Sequence, residues 1–231
     1  MIKLAGFTVL TALCLVSPNA LATWSIIAVD RATGAIGIAG ASCTFDVQGI
    51  ASIVPGRGAI VTQAASNYFA RMRGVDVMEE GASTRNVLAA MRDEQFEPER
   101  QQYGVILTEN EAPEVYSGSM IQGWSGTKTD NDVAVLGNIL VGESVLAEAF
   151  RAYNVNRDEP LAHRLMESLI AGADAGGDSR CGDQKARSAF LSVFNPATGA
   201  ITKVSVYGLA KGGEPAVQLL QEKQRRVMMP E

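Results

Sequence analysis

The pentapeptide Ala-Thr-Gly-Ala-Ile occurs twice in this chain of 231 residues, at 32–36 and at 197–201. Each copy sits between two short β-rich runs. Trp24 to Val29 and Ala35 to Ala41 flank the first; Ala189 to Phe194 and Ile201 to Tyr207 flank the second. Gly34 and Gly199 supply the positive-φ position that a short hairpin loop needs. Two copies do not make a repeat array, so they read as two hairpins with the same turn chemistry. The first of them ties the stretch beginning at Thr23 into a sheet.

Further strands are expected at 49–54, 59–63, 103–108, 114–117 and 132–136, with Val54-Pro55-Gly56-Arg57-Gly58 as a turn. Ser83 caps an expected helix carrying Val87, Leu88 and Met91. Residues 144–153 place Val145, Ala149, Phe150 and Tyr153 on one helical face, and Asp158 caps the next helix with Pro160 in its first turn. A last amphipathic helix is expected over 215–226. Strands, helices, strands, helices, hairpin and helix in that order argue for an α+β layered sandwich rather than alternating βαβ units.

The N-terminus carries a second constraint. Lys3 precedes an uncharged, mostly apolar run of 13 residues from Leu4 to Val16, broken by Ser17-Pro18-Asn19 and followed by Ala20-Leu21-Ala22. That is the pattern of a cleaved signal peptide over residues 1–22, and the run is shorter than the ~20 residues of a membrane anchor. A large Leu13 before Cys14 argues against a lipoprotein site. Cleavage would leave residues 23–231 as one domain in the periplasm or outside the cell, with no membrane attachment. Its first residue would be Thr23, a hydroxyl nucleophile and a free α-amine on one residue, a known arrangement for acyl transfer. Position alone is equally compatible with an ordinary residue that happens to follow the cut.

Loss of Lys3 with the leader leaves nineteen basic against 25 acidic residues, a net charge near −6. No basic patch interleaved with aromatics appears, which excludes nucleic acid as the expected partner. The two cysteines that follow the leader, Cys43 and Cys181, read as one disulfide in an oxidising compartment, with two separate buried thiols as the alternative. The single histidine, His163, falls off the Leu161–Leu165–Leu169 stripe towards solvent. A Ser-His-Asp triad or a histidine-built metal site is therefore not expected, and no cofactor is implied.

Several stretches, taken in order, resemble one family. They are Thr23-Trp24-Ser25-Ile26-Ile27-Ala28-Val29-Asp30, Gly37-Ile38-Ala39-Gly40-Ala41-Ser42, Val61-Thr62-Gln63-Ala64-Ala65-Ser66-Asn67, Gly137-Asn138-Ile139-Leu140 and Ala175-Gly176-Gly177-Asp178-Ser179-Arg180. The chain is similar to the domain-of-unknown-function family ten twenty-eight, placed in the N-terminal nucleophile (Ntn) hydrolase superfamily. The resemblance implies a four-layer αββα sandwich with Thr23 at the end of a central strand. It implies an N-terminal-threonine hydrolase cleaving an amide or related acyl bond of a small-molecule or peptide-like substrate. Thr23 Oγ would be the nucleophile and its own α-amine the base.

Within that frame Asn138, at a strand end, is the first candidate donor to the tetrahedral oxyanion, and a turn asparagine is the bland reading. Ser42, Gln63 and Asn67 follow apolar strand residues and face a cleft or solvent as substrate-orienting groups. Asp178 and Arg180 pair with each other, read a substrate charge, or solvate a Gly-rich turn. Cys43 and Cys181 both replace expected residues in segments placed near Thr23, so a Cys43–Cys181 bridge would brace the rim of the site. A lysine beside the threonine has no equivalent in 35–67, where the nearest cation is Arg57. The competing reading is a non-catalytic periplasmic binding or accessory protein on the same fold. Single copy and homo-oligomer stay equally open.

Overall fold

The computed structural model describes residues 22–228; the leader assigned to 1–22 lies outside the described residues except for Ala22, as does the end of the chain at 229–231. Both expected hairpins form. Strand β1 (Thr23–Asp30) turns into β2 (Ala35–Ser42), and β9 (Ser188–Asn195) turns into β10 (Ala200–Val206). The two turns share their glycine geometry and their main hydrogen bonds. Gly34 and Gly199 have φ of +76° and +68°, and their N–H groups donate to Asp30 and Asn195 carbonyls at 2.7 and 2.9 Å. Thr33 and Thr198 hydroxyls each accept the N–H of the first residue of the return strand at 3.3 Å.

The hairpins lie side by side. Together with β7 (Trp124–Asp130) and β8 (Val133–Leu140) they make one six-stranded antiparallel sheet in the order β10-β9-β2-β1-β8-β7. A second antiparallel sheet has the order β3-β4-β5-β6, from β3 (Ala51–Val54), β4 (Gly58–Ala64), β5 (Gln101–Leu107) and β6 (Glu114–Ser117). Among the described residues five α-helices complete the mixed α+β architecture: α1 (Tyr68–Glu79), α2 (Thr84–Met91), α3 (Glu143–Val155), α4 (Leu161–Asp174) and α5 (Ala216–Met228).

The period-2 alternation of β1 decides what covers each face. Trp24, Ile26 and Ala28 join Leu146, Leu165, Leu169 and Leu220 of α3, α4 and α5 in one core. Ile27 and Val29 point the other way, into a second core with Val61, Ile106 and Leu136 between the two sheets. A third core sets Met78, Val87 and Met91 of α1 and α2 against Ile60, Tyr103 and Val105 on the far face of the smaller sheet. β1 is thus buried on both faces and paired on both edges.

Three local expectations are corrected. The segment expected as one strand over 49–54 starts with a 3₁₀ turn at Gln48–Ile50, and pairing begins at Ala51. Helix α4 starts at Leu161 with Pro160 at its cap, not Asp158, because proline's fixed φ and missing N–H suit a helix start. Helix α1 and strand β7 were not anticipated. The buried residues of α1 include Ala70 and Gly74 while Tyr68 and Phe69 are exposed, which blurs the stripe; β7 is a polar edge strand.

Among the described residues no helix is long and apolar enough to cross a membrane. Cys43 and Cys181 are bonded, with Cα atoms 5.5 Å apart across a separation of 138 residues.

Candidate active site

Thr23 opens β1 and is directly opposite Ser42 on one neighbouring strand and Asn138 on the other. Side chains facing each other across an antiparallel pair share one face with Cβ atoms about 4.5–5.5 Å apart. Three of the expected site residues are therefore brought together by register alone, at the end of the sheet opposite the Asp30 turn. Thr23, Ser42 and Asn138 are all buried.

A closed polar chain lies under them. Ser25, two residues along β1 and so on the same face, donates its hydroxyl to Gln63 Oε1 at 2.8 Å. Gln63 Nε2 donates to Gln102 Oε1 at 2.7 Å and to the Thr23 carbonyl at 3.4 Å. Gln102 Nε2 is anchored on the Gly137 and Gly126 carbonyls at 3.1 and 3.2 Å and on Ser117 Oγ at 2.8 Å. Asn138 lies beside Thr23, but its Nδ2 donates to Gln102 Oε1 at 3.3 Å, and among the described residues its Oδ1 has no partner. The residues just after Gln63 and Asn138 are both forced to positive φ, Ala64 at +68° and Ile139 at +53°. For β-branched Ile139 this is a strained conformation, of order 1–3 kcal/mol, kept only where the surroundings over-determine it.

The third wall is the Gly-rich loop after α4. Trp24 occupies so much space that a Cβ at Gly172 would come within 2.7 Å of its indole nitrogen. Gly177, at φ +61°, packs against the same ring and turns the chain so that Asp178 points inward. Asp178, fully buried, accepts the Cys43 N–H at 2.6 Å and three N–H groups of Arg180, including Nη2 at 2.7 Å. Ser179 Oγ donates to the Ile139 carbonyl at 2.7 Å. The Cys43–Cys181 bond closes the same seam.

One carbonyl oxygen is gripped in this corner. The Ser42 hydroxyl and Arg180 Nη2, the latter at 3.1 Å, both donate to the main-chain oxygen of Ala22, whose residue is fully buried. The cation beside Thr23 therefore comes from the 178–181 loop. Arg57, the nearest candidate by sequence, pairs instead with Glu109 and with the Met78 carbonyl.

Asn67 is placed elsewhere: its Oδ1 caps α1 by accepting the Phe69 and Ala70 N–H groups at 2.9 and 3.2 Å, and its Nδ2 reaches the Phe96 carbonyl. Sequence reading missed Ser25 and Gln102. Ser25 had a usable signal, being the lone polar side chain between Trp24 and Val29 with the parity of Thr23. Gln102 had none, since only the pairing of the two sheets brings it under Asn138.

A cavity of about 670 Å³ begins at Ala64, one residue beyond Gln63, and is walled by Pro98, Glu97, Glu99, Met120 and Ile121. Hydrogen bonds from Tyr116 Oη and from the Ser119 N–H and hydroxyl hold the Glu99 carboxyl down at about 2. Among the described residues no group of three His, Cys, Asp or Glu side chains is arranged to hold a metal ion. His163 is half-buried on α4.

The fold has a solved counterpart. A crystal structure of a protein from Silicibacter pomeroyi, described as carrying the family model DUF1028, superposes with a TM-score of 0.76, at 21% identity over 91% of each chain. No curated protein matches. The model of DUF1028, a family of unknown function, matches residues 23–218, from Thr23 through both sheets into α5, and the chain belongs to that family.

Proposed function

We propose that this protein is an exported N-terminal-threonine hydrolase of the Ntn type, an αββα sandwich that cleaves an amide or related acyl bond. The observation that carries the reading is the position of Thr23. It starts the strand that is buried on both faces, and it stands over a buried polar chain of Ser25, Gln63, Gln102 and Asn138. The family match begins at the same residue.

Removal of residues 1–22 during export to the periplasm leaves Thr23 with a free α-amine. Such an amine ordinarily titrates near 7.7–8.0, so it takes the hydroxyl proton at neutral pH, directly or through a water. Thr23 Oγ adds to the carbonyl carbon, the leaving amine departs with a proton, and water hydrolyses the resulting ester. Loss of the Ala22 carbonyl also removes the acceptor that the Ser42 hydroxyl and Arg180 Nη2 share beside the new amine. These two preorganised donors stabilise the developing oxyanion. Gln63 and Gln102 hold β1 and β8 at fixed spacing beneath the reacting atoms.

N-terminal sequencing of the exported protein is expected to read Thr23-Trp24-Ser25. An electrophilic hydroxyl-directed probe such as a β-lactone is expected to add one label, absent from Thr23→Ala. A different first residue, or labelling that persists in Thr23→Ala, leaves the non-catalytic binding reading in its place.

A further inference from the structure

Asn138 Oδ1 is buried beside Thr23 and has no hydrogen-bond partner among the described residues. Its orientation is not arbitrary. Gln102 Nε2 is committed to two main-chain carbonyls, so Gln102 Oε1 must face Gln63 and Asn138, and both must present N–H to it. Turning the Asn138 amide over would set two acceptor oxygens against each other. The chain from Gly126 and Gly137 through Gln102 thus forces a bare acceptor onto the face it shares with Thr23. Buried acceptors are almost always satisfied, so an exception on the face shared with the candidate reacting residue calls for a specific donor.

A second observation concerns the surroundings. Among the described residues eight large apolar side chains are exposed. Six of them lie at the Thr23 end of the sheets, four on loops and Tyr68 and Phe69 in the first turn of α1. Phe45 follows Ser42, Tyr68 and Phe69 follow Gln63, and Val141 follows Asn138. Met120 lines the cavity that begins at Ala64, and Tyr207 follows β10 beside Phe45, whose carbonyl accepts the Gly208 N–H. The opposite end, around the Asp30 turn, carries ion pairs of Arg157 and Arg164 with Asp130 and Asp132 instead.

Building on the reading of Thr23 as the reacting residue, we infer that the ligand is an amide that keeps its N–H and carries an apolar substituent, with Asn138 Oδ1 accepting that N–H. An amide whose carbonyl carbon meets Thr23 Oγ brings its N–H into the same small space. The corresponding ester or N-methyl amide brings a lone pair or a methyl group, and leaves Oδ1 dry and unpaired. Sites built to pair a polar hydrogen reject the analogue without it far more strongly than apolar pockets reject a missing methylene. The apolar rim takes the substituent.

The test uses processed protein carrying Thr23→Ala, so that binding is read without turnover. Ligand-observed NMR compares N-benzylacetamide, N-benzyl-N-methylacetamide and N-(2-hydroxyethyl)acetamide. The first is expected to bind at least about tenfold more tightly than either of the others, a factor in keeping with one well-placed buried hydrogen bond. Asn138→Leu is expected to abolish the preference for N–H over N-methyl. Because it removes an unsatisfied acceptor, it is also expected to leave the denaturation midpoint unchanged or higher. Equal binding of the N–H and N-methyl ligands, binding of neither, or a preference that survives Asn138→Leu overturns the inference. So does a lowered midpoint in Asn138→Leu with the preference intact, the signature of a purely structural amide. Failure of the Thr23 reading shows separately, as persistent probe labelling of Thr23→Ala, and does not touch these measurements.

Discussion

Gln102→Met removes the hub of the buried polar chain while keeping side-chain length. Gln102 is fully buried, and five hydrogen bonds meet at its amide. Ser117 Oγ and the Gly126 carbonyl sit in part-buried contacts and recover water. Gln63 Nε2 keeps the Thr23 carbonyl. One group is stranded, Asn138 Nδ2, in a buried contact, whereas the Gly137 carbonyl keeps its strand partner Gly126. A buried group left unpaired costs about 1–3 kcal/mol, so the change costs about 2 kcal/mol. With a urea m-value of about 3 kcal/mol/M for a chain of this size, the midpoint falls by about 0.7 M with unchanged slope. Equilibrium urea unfolding followed by tryptophan fluorescence measures it. A shift below about 0.3 M would refute the reasoning, because it would mean that the chain contributes no more than an exposed hydrogen bond.

Tyr103→Phe is expected to raise the stability by about 1 kcal/mol in the same assay, since the Tyr103 hydroxyl is buried without a partner among the described residues and burial pushes its ionisation up. Glu99 is held at about 2 against an ordinary 4.5, so its contribution is fully present above the ordinary value and is lost as pH falls from about 4.5 towards 2. Glu99→Gln should flatten acid unfolding in that window and leave the curve above it parallel to the native one. Opening the Cys43–Cys181 loop of 138 residues with a double Cys→Ser change is expected to cost up to about 5 kcal/mol, roughly 10–15 °C in Tm. Denatured, unreduced, processed protein should show no free thiol; two thiols would remove the bridge.

Much of the fold was legible because its signals are local. The two hairpins declare themselves through glycine at a positive-φ turn position and β-rich runs on either side. The helices α2, α3, α4 and α5 announce their apolar faces. Helix α1 escaped because glycine and alanine stand where a stripe of large residues would. β7 escaped because an edge strand buries little and needs no apolar alternation. In the site, Asn67 sat in the right stretch of sequence but went to a helix cap, since an asparagine before a helix satisfies free N–H groups wherever the fold places them.

By itself the sequence determined the strand rich in apolar residues that begins at Thr23, the turn chemistry of both hairpins, and the pair of cysteines available to bridge. Only the tertiary structure decided that Thr23 stands between Ser42 and Asn138, that Arg180 rather than Arg57 reaches the Ala22 carbonyl next to it, and that Gln102 leaves the buried Asn138 acceptor on the face it shares with Thr23. The reason is physical. Turn and strand preferences are set by a few neighbouring residues. Register across 115 residues of chain, and the direction of a buried amide, are set by hydrogen-bond partners that meet only when both sheets have closed over one core.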